Sequence, residues 1–210
     1  MDHDEIVRLY GPWLAHRVED AARDFAGYRG RWWIAGGWAI EAFTGVSRPH
    51  ADLDIGIPRA DVALLREDVR GRFDVWAADG GSLHPLVGVD DRVADTCNNL
   101  WLRRSGADRW EYDILLTSVD DDRWVYRRDD RIARPLTEAV WRRDGVDYLQ
   151  PEIQLLYKAP RLRPQDQADF DASRPLLSAA GRGWLRSALE AAHPRHPWID
   201  ALAGADETAP

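Results

Sequence analysis

The chain has 210 residues, with 36 acidic against 28 basic side chains and a net charge of −8. That balance disfavours a protein that lives by wrapping nucleic acid, which needs a basic surface against phosphate, while 45% hydrophobic residues and 11 tryptophans exclude a disordered chain. No apolar run approaches the roughly 20 residues of a membrane helix, the acidic start MDHDEIVRLY lacks the basic-then-apolar order of a secretory signal, and the single cysteine, Cys97, can close no internal disulfide. A soluble, cytoplasmic protein is expected. Among the 28 basic residues only one, Lys158, is lysine. Such a compact charge suits places where a planar guanidinium does not.

In chain order, residues 4–28 carry Ile6, Tyr10, Trp13, Leu14, Val18, Ala21 and Phe25 at helical spacing, with Gly11-Pro12 as a break. RWWIA (31–35) reads as a buried strand. Gly36-Gly37 follow, and a short helix then runs to Gly45. ADLDIGI (51–57) reads as a strand with Asp52 and Asp54 on one face. Residues 59–69 form a helical pattern through Val62, Leu65 and Val69, and FDVWAA (73–78) a strand stopped by Asp79-Gly80-Gly81. NNLWLRR (98–104) and RWEYDILLT (109–117) pair as a hairpin around Ser105-Gly106, and a small hairpin is expected within 120–134. Pro151 opens a helix, and further helices are expected at about 165–178, 182–193 and 197–203. Strands before residue 150 and helices after it make an α+β chain with a helical C-terminal part. The last residues, GADETAP, read as a frayed tail.

The sharpest chemical signal is Asp52-Leu53-Asp54. Carboxylates at i and i+2 of a strand point the same way, about 6–7 Å apart at the strand rise. Hard oxygen ligands so placed suit Mg²⁺, which keeps waters and borrows further ligands from substrate phosphates; the competing reading is an exposed face of an edge strand. Gly36-Gly37 sits at the start of a helix, where a phosphate can approach the backbone. Asp113 interrupts the apolar strand WEYDILL, alternating with Tyr112 and Ile114, so it needs a partner or a function. Arg48 can grip phosphate bidentately, against the alternative of one more surface arginine. His50 reads more readily as structural. Glu152, Asp166 and Asp169 suit the first turns of their helices, where carboxylates complement the dipole; Asp166 and Asp169 could also line a cleft. The tryptophans read mostly as core.

WWIAGGWAIEAFTGVSRPHADLDIGIP resembles the signature of the aminoglycoside and lincosamide nucleotidyltransferases, within the polymerase-β-like nucleotidyltransferase superfamily. The residues that carry the likeness are Gly36 to Ala42, Gly45, Arg48, His50, Asp52 and Asp54, and DYLQPEIQLLYKAPRLRPQDQADF is similar to the C-terminal helical region of bacterial relatives. The resemblance implies a nucleotidyltransferase-fold mixed sheet with flanking helices over 1–149, a helical domain over 150–204 and a flexible tail at 205–210. It implies an enzyme that moves a nucleoside monophosphate, adenylyl from ATP, onto a hydroxyl of a small acceptor, aminoglycoside-like or lincosamide-like. Asp52 and Asp54 would be Mg²⁺ ligands, Asp113 the general base and a possible third ligand, Gly36 and Gly37 the phosphate cradle, and Arg48 and Lys158 phosphate contacts. The alternatives are a toxin-type enzyme that modifies tRNA or protein, and a non-catalytic nucleotide-binding module.

Overall fold

The computed structural model describes residues 3–203, so the tail lies outside the described residues. Helices α1 (His3–Tyr10) and α2 (Val18–Asp24) are separated at Gly11-Pro12 as expected, and the segment between them carries Trp13 into a bridge with Trp110. The strands and helices that follow are β1 (Trp33–Ile34), α3 (Gly36–Thr44), β2 (Asp54–Pro58), α4 (Val62–Asp68), β3 (Asp74–Asp79), β4 (Ser82–Pro85), β5 (Asn99–Arg103) and β6 (Tyr112–Thr117). Then come β7 (Val119–Asp120), β8 (Arg123–Val125), β9 (Ala133–Pro135), α5 (Leu136–Ala139), β10 (Val140–Arg143) and β11 (Val146–Leu149). The chain closes with α6 (Pro151–Lys158), α7 (Pro164–Ser173), α8 (Ala179–Ala192) and α9 (Trp198–Ala203).

An eight-stranded mixed sheet runs β10-β11-β1-β2-β6-β5-β3-β4, with a three-stranded sheet β7-β8-β9 beside it. The large sheet is antiparallel except where β1 meets β11 and β2 meets β6. Side chains on a strand alternate between faces, and here the alternation divides the molecule into two layers of packing. Ile34, Ile55, Ile57, Leu100, Leu102, Tyr112 and Ile114 point to one face, where they bury against Phe25 and Tyr28 after α2 and Leu65 and Val69 from α4. The opposite face carries Asp54, Gly56, Asn99, Trp101, Asp113 and Leu115, and it is this face that the helical part covers. Trp33, Ile40 and Leu149 join Ile153, Leu156, Phe170, Leu185, Leu189 and Trp198 in a second core.

Two hairpins go beyond the sequence reading. Asp79-Gly80-Gly81 does stop a strand, but the chain turns straight back as β4, with Asp79 opposite Ser82. β10 and β11 pair Val140 to Leu149 and Arg143 to Val146 around Asp144-Gly145, both at positive φ. The charged run WRRDGVD hid them, because one face of this edge pair is solvated and its alternation carries arginine and aspartate. A correction applies at Asp52 as well. The strand starts at Asp54, and Asp52 lies in the bend before it.

The tryptophans are mostly core, as expected. Trp13, Trp101 and Trp110 form a cluster beneath α1, with Trp76 packed on its edge. The Arg103 guanidinium sits 4.7 Å from the Trp76 ring and 4.3 Å from that of Trp110, an arrangement in which a cation gains from two π faces.

Candidate active site

Strands β2 and β6 run parallel, with Asp54 opposite Asp113 and Ile55 opposite Ile114. Pleat and register together set the two carboxylates side by side on the face that the helical part covers. Asp52 reaches the same place from the bend. All three line one cavity of about 1310 Å³ between the sheet, the β8–β9 turn and the start of the helical part.

Burial, and then the negative charge of Asp52 and Asp113, pushes the Asp54 carboxyl well above its ordinary range. Burial likewise raises Asp113, to about 7, against the pull of hydrogen bonds from Asn99 and Trp101. Asn99 Nδ2 donates to both Asp113 oxygens, at 2.8 and 3.0 Å. By contrast, among the described residues no side chain or backbone N–H hydrogen-bonds the Asp52 or Asp54 carboxylate. Acceptors without donors, crowded by like charge in a low-dielectric setting, fit a divalent cation. Among the described residues no three metal-ligating groups already close on one point, so the protein's share of such a site is open, with room for oxygens from a substrate.

Gly36 and Gly37 open α3 directly above these groups. A Cβ on Gly36 would stand 1.8 Å from Asp54 Oδ2, at a φ of +63°, and one on Gly37 would stand 2.3 Å from the Arg48 guanidinium and 2.7 Å from His50 Nδ1. The glycines therefore let Asp54, Arg48 and His50 approach the helix N-terminus. The Gly36 N–H is already engaged, donating to Gln154 Oε1 at 2.8 Å.

The sequence-predicted residues Arg48 and Lys158 do line the cavity, but in a buried ionic cluster rather than as free cations. Arg48 donates to both oxygens of Asp169 at 3.0 Å. Lys158, only 7% exposed, lies 3.1 Å from Asp166 and 3.0 Å from Asp169. Arg163 binds Asp166 at 2.7 Å. Asp166 and Asp169 thus do more than complement a helix dipole: both are buried and each joins two cations. His50 is structural in its contacts, with Nε2 2.7 Å from Glu41 and its ring stacked on Trp38. Glu152 faces a separate cavity, paired with Arg134 at 2.8 Å.

The sequence does not single out Asn99, Gln154, Tyr157, Arg127 or Arg128 as site residues, yet all of them line the cavity, as does Trp124 from among the tryptophans read mostly as core. Asn99 was legible in principle, because it sits on the hairpin strand opposite Leu115, two residues from Asp113. Nothing local marks Arg127 and Arg128.

A family model described as aminoglycoside-2''-adenylyltransferase matches residues 17–72, the segment that holds Gly36, Gly37, Asp52 and Asp54. No curated protein matches the chain. Among solved structures, the lincomycin-bound lincosamide antibiotic adenylyltransferase LnuA is 15% identical with a TM-score of 0.51, over 76% of this chain and 96% of that one. The antibiotic-resistance factor ANT(2'')-Ia in solution is 17% identical with a TM-score of 0.52, over 83% of this chain and 89% of that one. The same enzyme in complex with adenylyl-2''-tobramycin is 15% identical with a TM-score of 0.52, over 83% and 95%.

At these identities the structural likeness establishes the fold, and the fold is that of the nucleotidyltransferases. The family match across the motif segment then supports, within that class, an aminoglycoside/lincosamide nucleotidyltransferase-like enzyme. No described helix is long and apolar enough to cross a membrane.

Two measurements test this site. Gly36→Ala should unfold several degrees below wild type, because the new methyl meets Asp54 Oδ2 and the backbone is left-handed; Gly27→Ala, with nothing within 4 Å, is the control. Asp113 is raised in the folded state, so its neutral form favours folding and this contribution fades as pH rises toward 7. In metal-free buffer Asp113→Asn should therefore melt above wild type at pH 8, with the gain shrinking toward pH 4. A gain independent of pH would show that the Asp113 carboxyl is not held protonated by its surroundings.

Proposed function

We propose that the chain transfers a nucleoside monophosphate, AMP from ATP, to a hydroxyl of a small molecule in a Mg²⁺-dependent reaction. The acceptors suggested by the similar proteins are aminoglycoside-like or lincosamide-like antibiotics. The observation that carries this reading is the cross-strand pair Asp54 and Asp113, joined by Asp52 on one cavity wall. We also read residues 1–149 as the catalytic domain and 150–204 as a helical domain that roofs the cavity.

In this reading Asp52 and Asp54 hold the divalent cation, with Asp113 as a possible third ligand, and when bound the cation neutralises the donor's phosphates and steadies the attacking and leaving oxygens. Asp113 takes the proton of the acceptor hydroxyl. A carboxyl raised to about 7 is better matched to that task near neutrality than an ordinary aspartate. Asn99 holds both Asp113 oxygens and so fixes the direction from which the hydroxyl must come. The acceptor oxygen bonds to the α-phosphorus, the bond from that phosphorus to the bridging oxygen breaks, and pyrophosphate leaves. Gly36 and Gly37 keep α3 low over Asp54, so the helix N-terminus faces the donor's phosphates. Lys158, Arg48 and Arg163 form the positive wall beside them, held in place by Asp166 and Asp169.

Pyrophosphate release, measured with four nucleoside triphosphates and a panel of hydroxyl acceptors that includes antibiotics, tests the proposal. Asp52→Asn and Asp54→Asn should each cost about 10²–10³-fold, the equivalent of several kcal/mol of charge stabilisation, and Asp113→Asn about 10²–10⁴-fold. Full activity in Asp52→Asn would overturn the metal-ligand assignment. Lys158→Ala should raise the nucleotide KM or lower kcat while Arg161→Ala does little; equal effects would remove any special part for the lysine.

A further inference from the structure

The order of the strands gives Asp54 two flanks. In the run β11-β1-β2-β6-β5, Asp113 on β6 and Asn99 on β5 lie to one side of it. On the other side β1 leads into Gly36, and β11 leads into α6, which carries Gln154 and, one turn on, Lys158. All of these residues line the same cavity. On this second flank the cations are already committed, since Arg48, Lys158 and Arg163 pair with Asp166 and Asp169.

Gln154 differs from them. It is 6% exposed, and its Oε1 accepts from the Gly36 N–H at 2.8 Å. That bond fixes the amide, because the flipped form would turn an NH2 group onto an N–H donor. Nε2 is left with two N–H donors, and among the described residues no acceptor takes either of them. The Asp54 carboxylate does not, although it lies so near that a Cβ on Gly36 would stand 1.8 Å from its Oδ2. Nor is Nε2 sealed in the core: Gln154 lines the cavity, and the atom keeps accessible surface there. A buried donor finds an acceptor, and one that opens onto a cavity takes it from the water or ligand inside. A ligand that displaces that water must then bring an acceptor of its own.

We infer that Gln154 is a binding residue for the nucleotide donor: its Nε2 donates to a phosphate oxygen of the triphosphate while its Oε1 holds Gly36. This rests on the nucleotidyl-transfer reading and adds a contact to it. Position selects the phosphate. A cation held by Asp52 and Asp54 takes further ligands from phosphate oxygens, which brings those oxygens beside Gly36 and the Gln154 amide. The acceptor's hydroxyl belongs on the opposite flank, at Asp113 and Asn99. Two neutral amides thus serve the two substrates, Asn99 by orienting the base and Gln154 by gripping the donor. Neutrality matters at this spot. A lysine or arginine so near Asp54 would pair with the carboxylate and compete with the cation for it, whereas an amide adds direction without charge.

The test is calorimetric titration of α,β-methylene-ATP, which cannot release pyrophosphate, into the full chain with Mg²⁺, beside pyrophosphate release from ATP with lincomycin and tobramycin. Gln154→Met keeps the volume and removes both ends of the amide. Gln154→Glu keeps an oxygen to accept from Gly36 and removes the N–H donors. Gln154→Met should bind the analogue about tenfold or more weakly, as expected for losing a hydrogen bond to a charged group, and so should Gln154→Glu at about pH 8.5. Binding to Gln154→Glu should recover as pH falls, because a protonated carboxyl can donate again. The ATP KM should rise by a similar factor, with the acceptor KM within about twofold of wild type. Mn²⁺ alone should bind Gln154→Glu no more weakly than wild type, which places the loss at the phosphate. A residue that only braces α3 gives weak binding in Gln154→Met and wild-type binding in Gln154→Glu at every pH, and that result overturns the inference. A raised acceptor KM with the ATP KM unchanged also overturns it, giving the amide to the acceptor. If Gln154→Met does not fold, Gln154→Glu carries the comparison by itself. Binding lost in the variants, without pyrophosphate release by wild type from any acceptor, keeps the phosphate contact and removes the transfer reaction. Wild-type ATP KM in both variants, or no binding of the analogue to wild type, removes the contact.

Discussion

Two carboxylates, Asp54 and Asp113, stand opposite each other on adjacent parallel strands in the most apolar part of the sheet. Left alone, they repel and lose their solvation, and the rise of both carboxyls above their ordinary range expresses that cost. A sheet tolerates such a pair only if its remaining packing offsets it. Here the reverse face does so: Ile55, Ile57, Tyr112 and Ile114, flanking the carboxylates in sequence, are all fully buried against α2 and α4. One face of β2 and β6 stabilises the strands while the other is free to carry chemistry. The glycine at 36 follows from the same constraint, because the helix after β1 must pass within contact of Asp54 and there is no room for a side chain, while Gly37 makes the same allowance for Arg48 and His50.

Around this acidic centre the positive charge is divided. Arg48, Lys158 and Arg163 are paired with two buried aspartates of α7, which leaves the cluster one charge positive, and it ties the segment after α3 to the helical part. A buried ion pair is a weak source of stability, since desolvation offsets much of the attraction, but losing one partner exposes the full cost of the other. The cluster is therefore better understood as geometry than as strength. It holds long side chains at set positions on the cavity wall that Gly36 and Gly37 share.

Much of this was legible in the sequence, and the reasons differ by element. The strand around Asp113 was readable because a charged residue in an apolar alternation is conspicuous, and the helix from Pro151 because proline and periodicity agree. The Gly-Gly step, Asp52 and Asp54 stood out through their density within a short segment. What the sequence could not show is which charges meet. Asp169 lies 121 positions from Arg48, and the spacing of either residue says nothing of the other. Asp166 and Asp169 looked like ordinary first-turn carboxylates because helix-dipole compensation and a buried ionic role leave the same local pattern. The β10–β11 hairpin escaped for a related reason: its partner β1 is only two residues long and sits more than a hundred positions earlier.

The hydrogen bond from the Gly36 N–H to Gln154 has a consequence for binding thermodynamics. It joins the first residue of α3 to the middle of α6, and with the Arg48–Asp169 contact it pins the roof of the cavity to its floor at the acidic end. That end of the cavity is thus assembled in advance, and little conformational entropy remains to be lost there when a ligand arrives. At the far end Tyr126 makes a comparable tie, its hydroxyl donating to the Leu156 carbonyl at 3.4 Å and lying 3.1 Å from His193 Nε2. Only the exposed side chains of Arg127 and Arg128 beside it are left to be ordered, so the entropy cost of filling the cavity falls on those two residues.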